Sequence, residues 1–384
     1  MKTKKNPSGS GSIRQRSDGR WESRVTVGYD KGTGKQVQKS FYGKSQKEVI
    51  VKLQKVSVTV DEGSYSEPSK LTVEQWLDIW LKEYVTNAVK PLTVVSYQSM
   101  YSNYIKPAFG AVKLSELNPH DIQAFYNDLQ RVKNLSPKSI KNVHGVLHSA
   151  LKQAVRLGSI KVNPTDNCIV PRVIKKEIKP LQDNEIIWFL KEIKGHRFEA
   201  LFIVDLFTGM RQGELLGLTW NCIDFNRDTI LINKQLQKVS GKYILASNKN
   251  NKARIISPAQ TVMEILKSHK RKQIELMLLL GIPWNEKGYV FTDEFGQHLK
   301  HSTVYKNFKR IVKDLGLEST RFHDLRHSYA VAALQAGDDI KTVQETLGHH
   351  TAAFTLDVYG HVSDQMKKDS SKRMESFIKS VSGS

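Results

Sequence analysis

The chain has little cysteine, no long apolar run and a deficit of acidic residues. Its 384 residues include only two cysteines, Cys168 and Cys222, which make neither a disulfide framework nor a metal cluster. A reducing cytosol is the compartment such a chain suits. No apolar run approaches the roughly 18 residues of a membrane span. Met1 to Ser12 is basic and polar, with no apolar segment behind it that reads as a secretion signal. Gly-rich phosphate loops, His/Cys sets at zinc spacing, acidic clusters fit for magnesium and a serine nucleophile elbow are all missing. No cofactor and no metal are therefore expected.

Positive charge is abundant. Lys and Arg number 59 against 38 Asp and Glu, a formal net charge of +21, while 39% hydrophobic residues leave enough material for packed cores. A basic excess of this size points to a polyanion, of which nucleic acid is the commonest. The length is a prior for two or three domains.

The charge is uneven, because residues 1–60 hold 14 Lys or Arg and only 4 Asp or Glu. Within them, Ser12 to Ser17, Trp21 to Tyr29 and Gln36 to Tyr42 read as strands, joined by Asp18-Gly19 and by a longer turn at Asp30 to Gly34. Trp21, Val25 and Val27 alternate with Arg24 and Thr26. Ser45-Gln46-Lys47-Glu48 is a capping box that opens a helix from Gln46 to about Ser57. Three strands and a helix with this charge form a module suited to a DNA groove, with Arg14, Arg16, Arg20, Arg24 and Lys39 as candidate contacts. Residues 61–69 read as a linker.

Residues 70–165 are expected to be an all-helical bundle. Its helix starts are Thr72 to Gln75, a second capping box, then Pro91, Asn118-Pro119 and Ser136-Pro137. Trp76, Trp80, Tyr84, Tyr97, Tyr101, Phe125 and Tyr126 fall at helical spacing and are assigned to the core. Residues 166–180 read as a basic linker. From 181 to 384 the pattern is mixed and mainly helical (α+β), with strands at Thr229 to Ile232, Ile244 to Ser247 and Arg254 to Ser257. Met374 and Phe377 mark an amphipathic tail helix.

Four stretches in this last part carry chemistry. In Thr208-Gly209-Met210-Arg211-Gln212-Gly213-Glu214-Leu215, two glycines flank an arginine at a helix start, where backbone donors and a guanidinium converge on an anion. Glu214, three residues on, is placed to orient Arg211. Ser247 to Arg254 is a basic connection read as a hairpin tip, from which Lys249 or Lys252 reaches a phosphate or leaving oxygen. Arg321-Phe322-His323-Asp324-Leu325-Arg326 puts His323 and Arg326 on one helix face, a proton-transfer partner beside a charge clamp. Leu347-Gly348-His349-His350 precedes Tyr359, which lies next to Gly360. Each stretch alone is an ordinary turn or cap.

Together and in this order, Arg211, Lys249, His323, Arg326, His349 and Tyr359 resemble the active site of the tyrosine recombinase (phage integrase) family. The chain is similar to integrases of temperate phages and integrative conjugative elements over almost its whole length. The family's spacing favours Lys249 over Lys252 and His349 over His350. The resemblance implies Tyr359 as the nucleophile that forms a 3′-phosphotyrosine, and Arg211 and Arg326 as clamps on the non-bridging oxygens. It makes His349 a further hydrogen-bond donor, Lys249 the acid for the leaving 5′ oxygen, and His323 the base or proton shuttle. It also implies an arm-site DNA-binding module at 1–60, a core-site DNA-binding bundle at 70–165, a tetramer on double-stranded DNA, and a place on the nucleoid in a bacterial cytoplasm. An excisionase and a DNA-bending host factor are candidate partners, and the tail is a candidate for packing either on a neighbouring protomer or in cis at the end of its own domain. The competing readings are an Xer-like resolvase or invertase, a type IB topoisomerase, and a DNA-binding repressor or architectural protein without chemistry.

Overall fold

The computed structural model describes residues 11–30, 32–61, 70–174, 179–248, 252–284, 288–349 and 363–382. The chain divides into two units, Met1–Val173 and Ile174–Ser384.

The first unit opens with an antiparallel sheet of β1 (Ser12–Gln15), β2 (Trp21–Tyr29) and β3 (Gln36–Gly43), covered by α1 (Gln46–Asp61). The Asp18-Gly19 turn forms as expected, with Gly19 at φ 80° and the Arg20 N–H donating to Asp18. Ser45 and Glu48 cap α1: the Glu48 N–H donates to Ser45 Oγ, and the Lys44 N–H donates to Glu48 Oε2 at 3.0 Å. Val25, Val49 and Leu53 are buried between sheet and helix. The opposite face departs from simple alternation, because Glu22 is only 2% exposed there, between Arg14 and Arg24. A register shift between Thr26 and Gly28 then breaks the alternation that the sequence pattern assumes.

The same unit contains the helical bundle. Thr72 and Gln75 cap α2 (Val73–Ile79) reciprocally. This helix runs on into a π-helical turn, Trp80–Val85. Next come α3 (Pro91–Met100), a second π turn (Tyr101–Ile105), α4 (Lys106–Phe109), α5 (Pro119–Arg131) and α6 (Pro137–Arg156). The core holds Trp76, Trp80, Tyr101, Ile122, Tyr126, Ile140, Leu147 and Leu151, while Tyr97 and Phe125 pack at its edge and Tyr84, against expectation, is exposed on the π-helical turn. The Trp76 indole satisfies its N–H on the Ala150 carbonyl at 2.9 Å. The chain does not leave the bundle at 165 as the linker reading has it. Asn163 and Thr165 are buried, Thr165 Oγ1 bonds the His148 ring at 3.0 Å, and Cys168 and Val170 pack against the core. These residues pair with groups far away in sequence, which local composition does not reveal.

The second unit is built around α8 (Glu199–Thr208), flanked by α7 (Asp183–Glu192), α9 (Gln212–Leu216), α10 (Gln260–Leu279), α11 (His301–Asp314), α12 (Phe322–Gln335) and α13 (Ile340–Leu347). Leu201, Phe202, Val204 and Leu206 of α8 are fully buried. A three-stranded sheet orders β4 (Ile223–Asp224), β5 (Thr229–Ile232) and β8 (Arg254–Ile256). A separate hairpin pairs β6 (Lys234–Val239) with β7 (Lys242–Ser247). The connection 248–253 is therefore not a hairpin tip: β7 pairs with β6 and β8 with β5, so it crosses from one sheet to the other. The hairpin lies directly on α9, and a Cβ on Gly217 would come within 2.7 Å of the Leu236 nitrogen. A last helix, α14 (Ser363–Ser382), follows. Among the described residues no helix is long and apolar enough to cross a membrane, and no group of three or more His, Cys, Asp and Glu could hold a metal ion.

Candidate active site

Four of the six residues expected to act in catalysis are described, and they meet at one end of α8. That helix ends at Gly209, in the left-handed region at φ 60°. A larger residue is strained there, since a Cβ would lie 2.5 Å from Tyr329 Cδ1 and 2.6 Å from Leu347 Cδ2. The turn delivers Arg211 as the N-cap of α9. The Arg211 main-chain N–H donates to Glu214 Oε2 at 3.0 Å and its guanidinium to Glu214 Oε1 at 2.8 Å, so Glu214 orients Arg211 as its spacing predicts.

Arg326 projects from α12 and is almost wholly enclosed, at 1% exposure. It donates to the Gly209 carbonyl at 2.6 Å and to the Leu347 carbonyl at 2.7 Å. His323 lies three residues earlier, and the ring of His327 stands edge-on to it with centroids 4.9 Å apart. Asp324 between them receives the main-chain N–H and the guanidinium of Arg321 and fixes the start of α12. His349 follows the left-handed Gly348 that ends α13, and its backbone is held by the Gln344 amide at 3.2 Å.

The turn after α13 is gripped by three guanidiniums on three successive carbonyls. Arg254 donates to Thr346 O at 2.7 Å, Arg326 to Leu347 O and Arg211 to Gly348 O at 2.9 Å. Cations suit this position, because the carbonyls of a helix C-terminus are unpaired and carry the negative end of its dipole. Arg254 is the residue that sequence reading missed. It also forks onto Glu214 with bonds of 3.0 and 2.7 Å. Its position beside a lysine-rich connection gives no local signal.

The electrostatics follow from this crowding of cations. Burial alone would raise the Glu214 carboxyl, but hydrogen bonds and charge from Arg254, with the charge of Arg211, hold it at about 2. Burial and then the charges of Arg326 and Arg211 push His349 down to about 3. Burial, opposed by Asp324 and aided by Arg326, brings His327 to about 4. Partial desolvation, then His327 and Arg326, lower His323 as well, although the residue as a whole is exposed. All three imidazoles are neutral at pH 7. Beneath Arg326 lies Asp205, whose Oδ1 is buried without a hydrogen bond and whose carboxyl is raised well above its usual range by burial. Arg211, Lys252, Arg254, Lys341, Gly348 and His349 are among the residues that line a cleft of about 910 Å³. Lys249, Tyr359 and the alternative His350 lie outside the described residues.

Three of the five candidate DNA contacts, Arg14, Arg16 and Arg24, gather on one side of the N-terminal module, and Arg20 stands at the adjoining turn. Arg14, Glu22, Arg24 and Tyr42 are cross-strand or same-strand neighbours on the sheet face opposite α1. Arg14 and Arg24 bond Glu22 at 2.7 and 3.0 Å, Arg20 bonds Asp18 at 2.8 Å, and Arg16 lies over the Tyr42 ring. Lys39 is not with them. The register pairs it with Val25, on the face that α1 covers.

Known proteins resemble the chain at both levels. Residues 176–366 match the phage integrase family, and residues 72–130 match the SAM-like domain found N-terminal to it in phage integrases. A tyrosine recombinase XerC-like protein of Caldanaerobacter subterraneus is 33% identical over 363 residues, covering 89% of this chain and 92% of its own. The ICEBs1 integrase of Bacillus subtilis is 24% identical, with 96% of this chain and 100% of that protein covered. In fold, the Tn1549 transposon integrase bound to transposon right end DNA matches with a TM-score of 0.68 at 22% identity, over 79% of this chain and all of that one. A lambda integrase dimer on a core site matches with a TM-score of 0.58 at 19% identity, over 94% and 97%. The chain belongs to the phage integrase family, the tyrosine recombinases, enzymes that cut and rejoin DNA.

Proposed function

We propose that the chain is the integrase of a mobile element, inserting and excising it through a 3′-phosphotyrosine intermediate. The observation that carries this reading is the convergence of Arg211, His323, Arg326 and His349 on one turn, with both arginines anchored by carbonyls. Tyr359 attacks the scissile phosphorus, its phenolic proton passing to His323. The bond to the 5′ oxygen breaks, and Lys249 supplies the proton that this oxygen takes. The 5′ hydroxyl of a partner strand then attacks the phosphotyrosine and releases Tyr359. The bond energy of the diester is kept in the adduct, so no nucleotide cofactor is consumed. Arg211 and Arg326 hold the non-bridging oxygens as charge grows on them, and the neutral His349 donates a further hydrogen bond. A positioned acid or base contributes about 10²–10⁴-fold. A neutral His323 is in the protonation state a base requires.

The N-terminal sheet module is assigned to arm sites and the bundle to core sites. The assembly is a tetramer on DNA in a bacterial cytoplasm, assisted by an excisionase and a bending protein. The similarity of fold to an integrase bound to transposon end DNA supports DNA as the partner. A second reading, an Xer-like resolvase, is favoured by the XerC-like relative. Coverage of the whole ICEBs1 integrase by 96% of this chain favours the integrase.

The test is covalent trapping in EDTA on nicked DNA that spans an element–chromosome junction. Wild type is expected to give a protein–DNA adduct on a denaturing gel, and Tyr359→Phe none. Adduct formation by Tyr359→Phe, or bound DNA that is never cut by wild type, overturns the proposal. Recombination of paired identical sites, with no activity on attachment sites, selects the resolvase.

A further inference from the structure

We infer that Arg254 is a positioning residue of the recombination site, holding Arg211 and His349 in register through Glu214 and the turn after α13. The inference rests on the recombinase reading above and goes beyond it, since Arg254 belongs to none of the groups expected to meet the phosphate.

The geometry gives Arg254 three tasks at once. Two nitrogens of its guanidinium fork onto the two oxygens of Glu214, at 3.0 and 2.7 Å. Its Nε donates to Thr346 O at 2.7 Å. Its own place at the start of β8 ends the connection on which Lys249 lies. The residue is 12% exposed and Glu214 1%, so this fork is shielded from water and is the kind that fixes geometry. A Cβ on Gly348 would lie 3.1 to 3.3 Å from the Arg254 guanidinium and Cδ, so the glycine next to His349 rests on this side chain.

Glu214 is shared between two guanidiniums, with Arg211 on Oε1 at 2.8 Å. Without Arg254, a buried carboxylate would have Arg211 as its one remaining arginine, and would draw it away from the phosphate. The Thr346 carbonyl would lose its donor, and the turn carrying His349 would loosen. Arg254 therefore shares the charge of Glu214 so that Arg211 stays free to serve the DNA. Neutralising Glu214 is then expected to repair part of the damage done by removing Arg254. A side chain that merely filled space would show no such repair.

The experiment measures adduct formation in a single turnover on nicked junction DNA at saturating protein. It compares the full-length wild type with Arg254→Gln, Arg254→Lys, Glu214→Gln and the double variant Arg254→Gln/Glu214→Gln, with DNA affinity and thermal melting measured alongside. Arg254→Gln is expected to cut about 100-fold more slowly, as misplacement by about an ångström does, with DNA affinity within about threefold of wild type because phosphate contacts elsewhere set it. Adding Glu214→Gln to Arg254→Gln is expected to raise the rate by about tenfold, a non-additivity that reports direct coupling. Arg254→Gln cutting at the wild-type rate overturns the inference, as does a double variant slower than Arg254→Gln. If Arg254→Gln melts below the assay temperature, Arg254→Lys decides, since it keeps the charge and loses the fork. A loss of about tenfold or more at near-normal melting supports the inference, and an unchanged rate sinks it. Failure of wild type itself to form an adduct overturns the recombinase reading, and the role of Arg254 falls with it.

Discussion

At the scale of single residues, the site is a problem in placing many cations without losing the fold. Arg326 is enclosed, and its charge is met by the carbonyl dipoles of Gly209 and Leu347. The histidines around it stay neutral, which has a consequence for stability. His327 titrates at about 6.5 in an unfolded chain and at about 4 in the folded one. From about pH 6.5 down to about pH 4 the unfolded chain therefore binds a proton that the folded chain refuses, and stability falls with pH across that window; above it the residue has no effect. The urea midpoint of the protein is expected to drop between pH 7.5 and pH 5, and His327→Gln to make that drop shallower. An unchanged slope in the variant would show that other groups govern acid sensitivity. Arg211, His323, Arg326 and His349 were singled out by their local motifs, and the fold brings these four side chains together. Arg254 was not singled out, because its partners Glu214 and Thr346 are 40 and 92 residues away. No pattern in the neighbourhood of a lone arginine at a strand start encodes such contacts.

At the scale of elements, the strongest prediction concerns the end of α8. Gly209 combines a left-handed backbone, a close approach by Tyr329 and Leu347, and the carbonyl that receives Arg326. Gly209→Ala is expected to cost about 2 kcal/mol of stability through strain and to lower the rate of adduct formation further by moving that carbonyl. Melting and adduct kinetics measured together check this; a stable variant with full activity would contradict it. Helices were readable from periodicity and caps, as at Thr72, Asn118 and Ser136, whose side chains each accept the expected backbone N–H. Strand pairing was less so. β6 is Lys-Gln-Leu-Gln-Lys-Val, with Leu236 its one fully buried residue, so its polar pattern hides a strand held by pairing with β7 and by contact with α9. The connection after β7 was misread for the same reason: which strands pair is a long-range fact.

At the scale of the whole molecule, basic residues dominate the first 60 positions, whereas Arg211, His323, Arg326 and His349 all lie in the second unit. α14 leaves Met374, Phe377, Ile378 and Val381 largely in water, an apolar stripe at helical spacing. Burying each such side chain is worth about 1.5–3 kcal/mol, enough in sum to fasten one protomer to another. Removing all residues after Val362 is expected to abolish synapsis and slow cleavage. Full retention of both would show that the tail has no role between protomers.

The crossing of residues 248–253 between two sheets sets the final constraint. At one end Asn248 is buried, its amide donating to the Ile232 and Lys252 carbonyls, and at the other Arg254 is forked onto Glu214. Six chain steps join the two moorings, a span of at most about 20 Å. The β6–β7 hairpin at Asn248 and the Arg254–Glu214 fork therefore cannot separate beyond that length, whatever either of them binds.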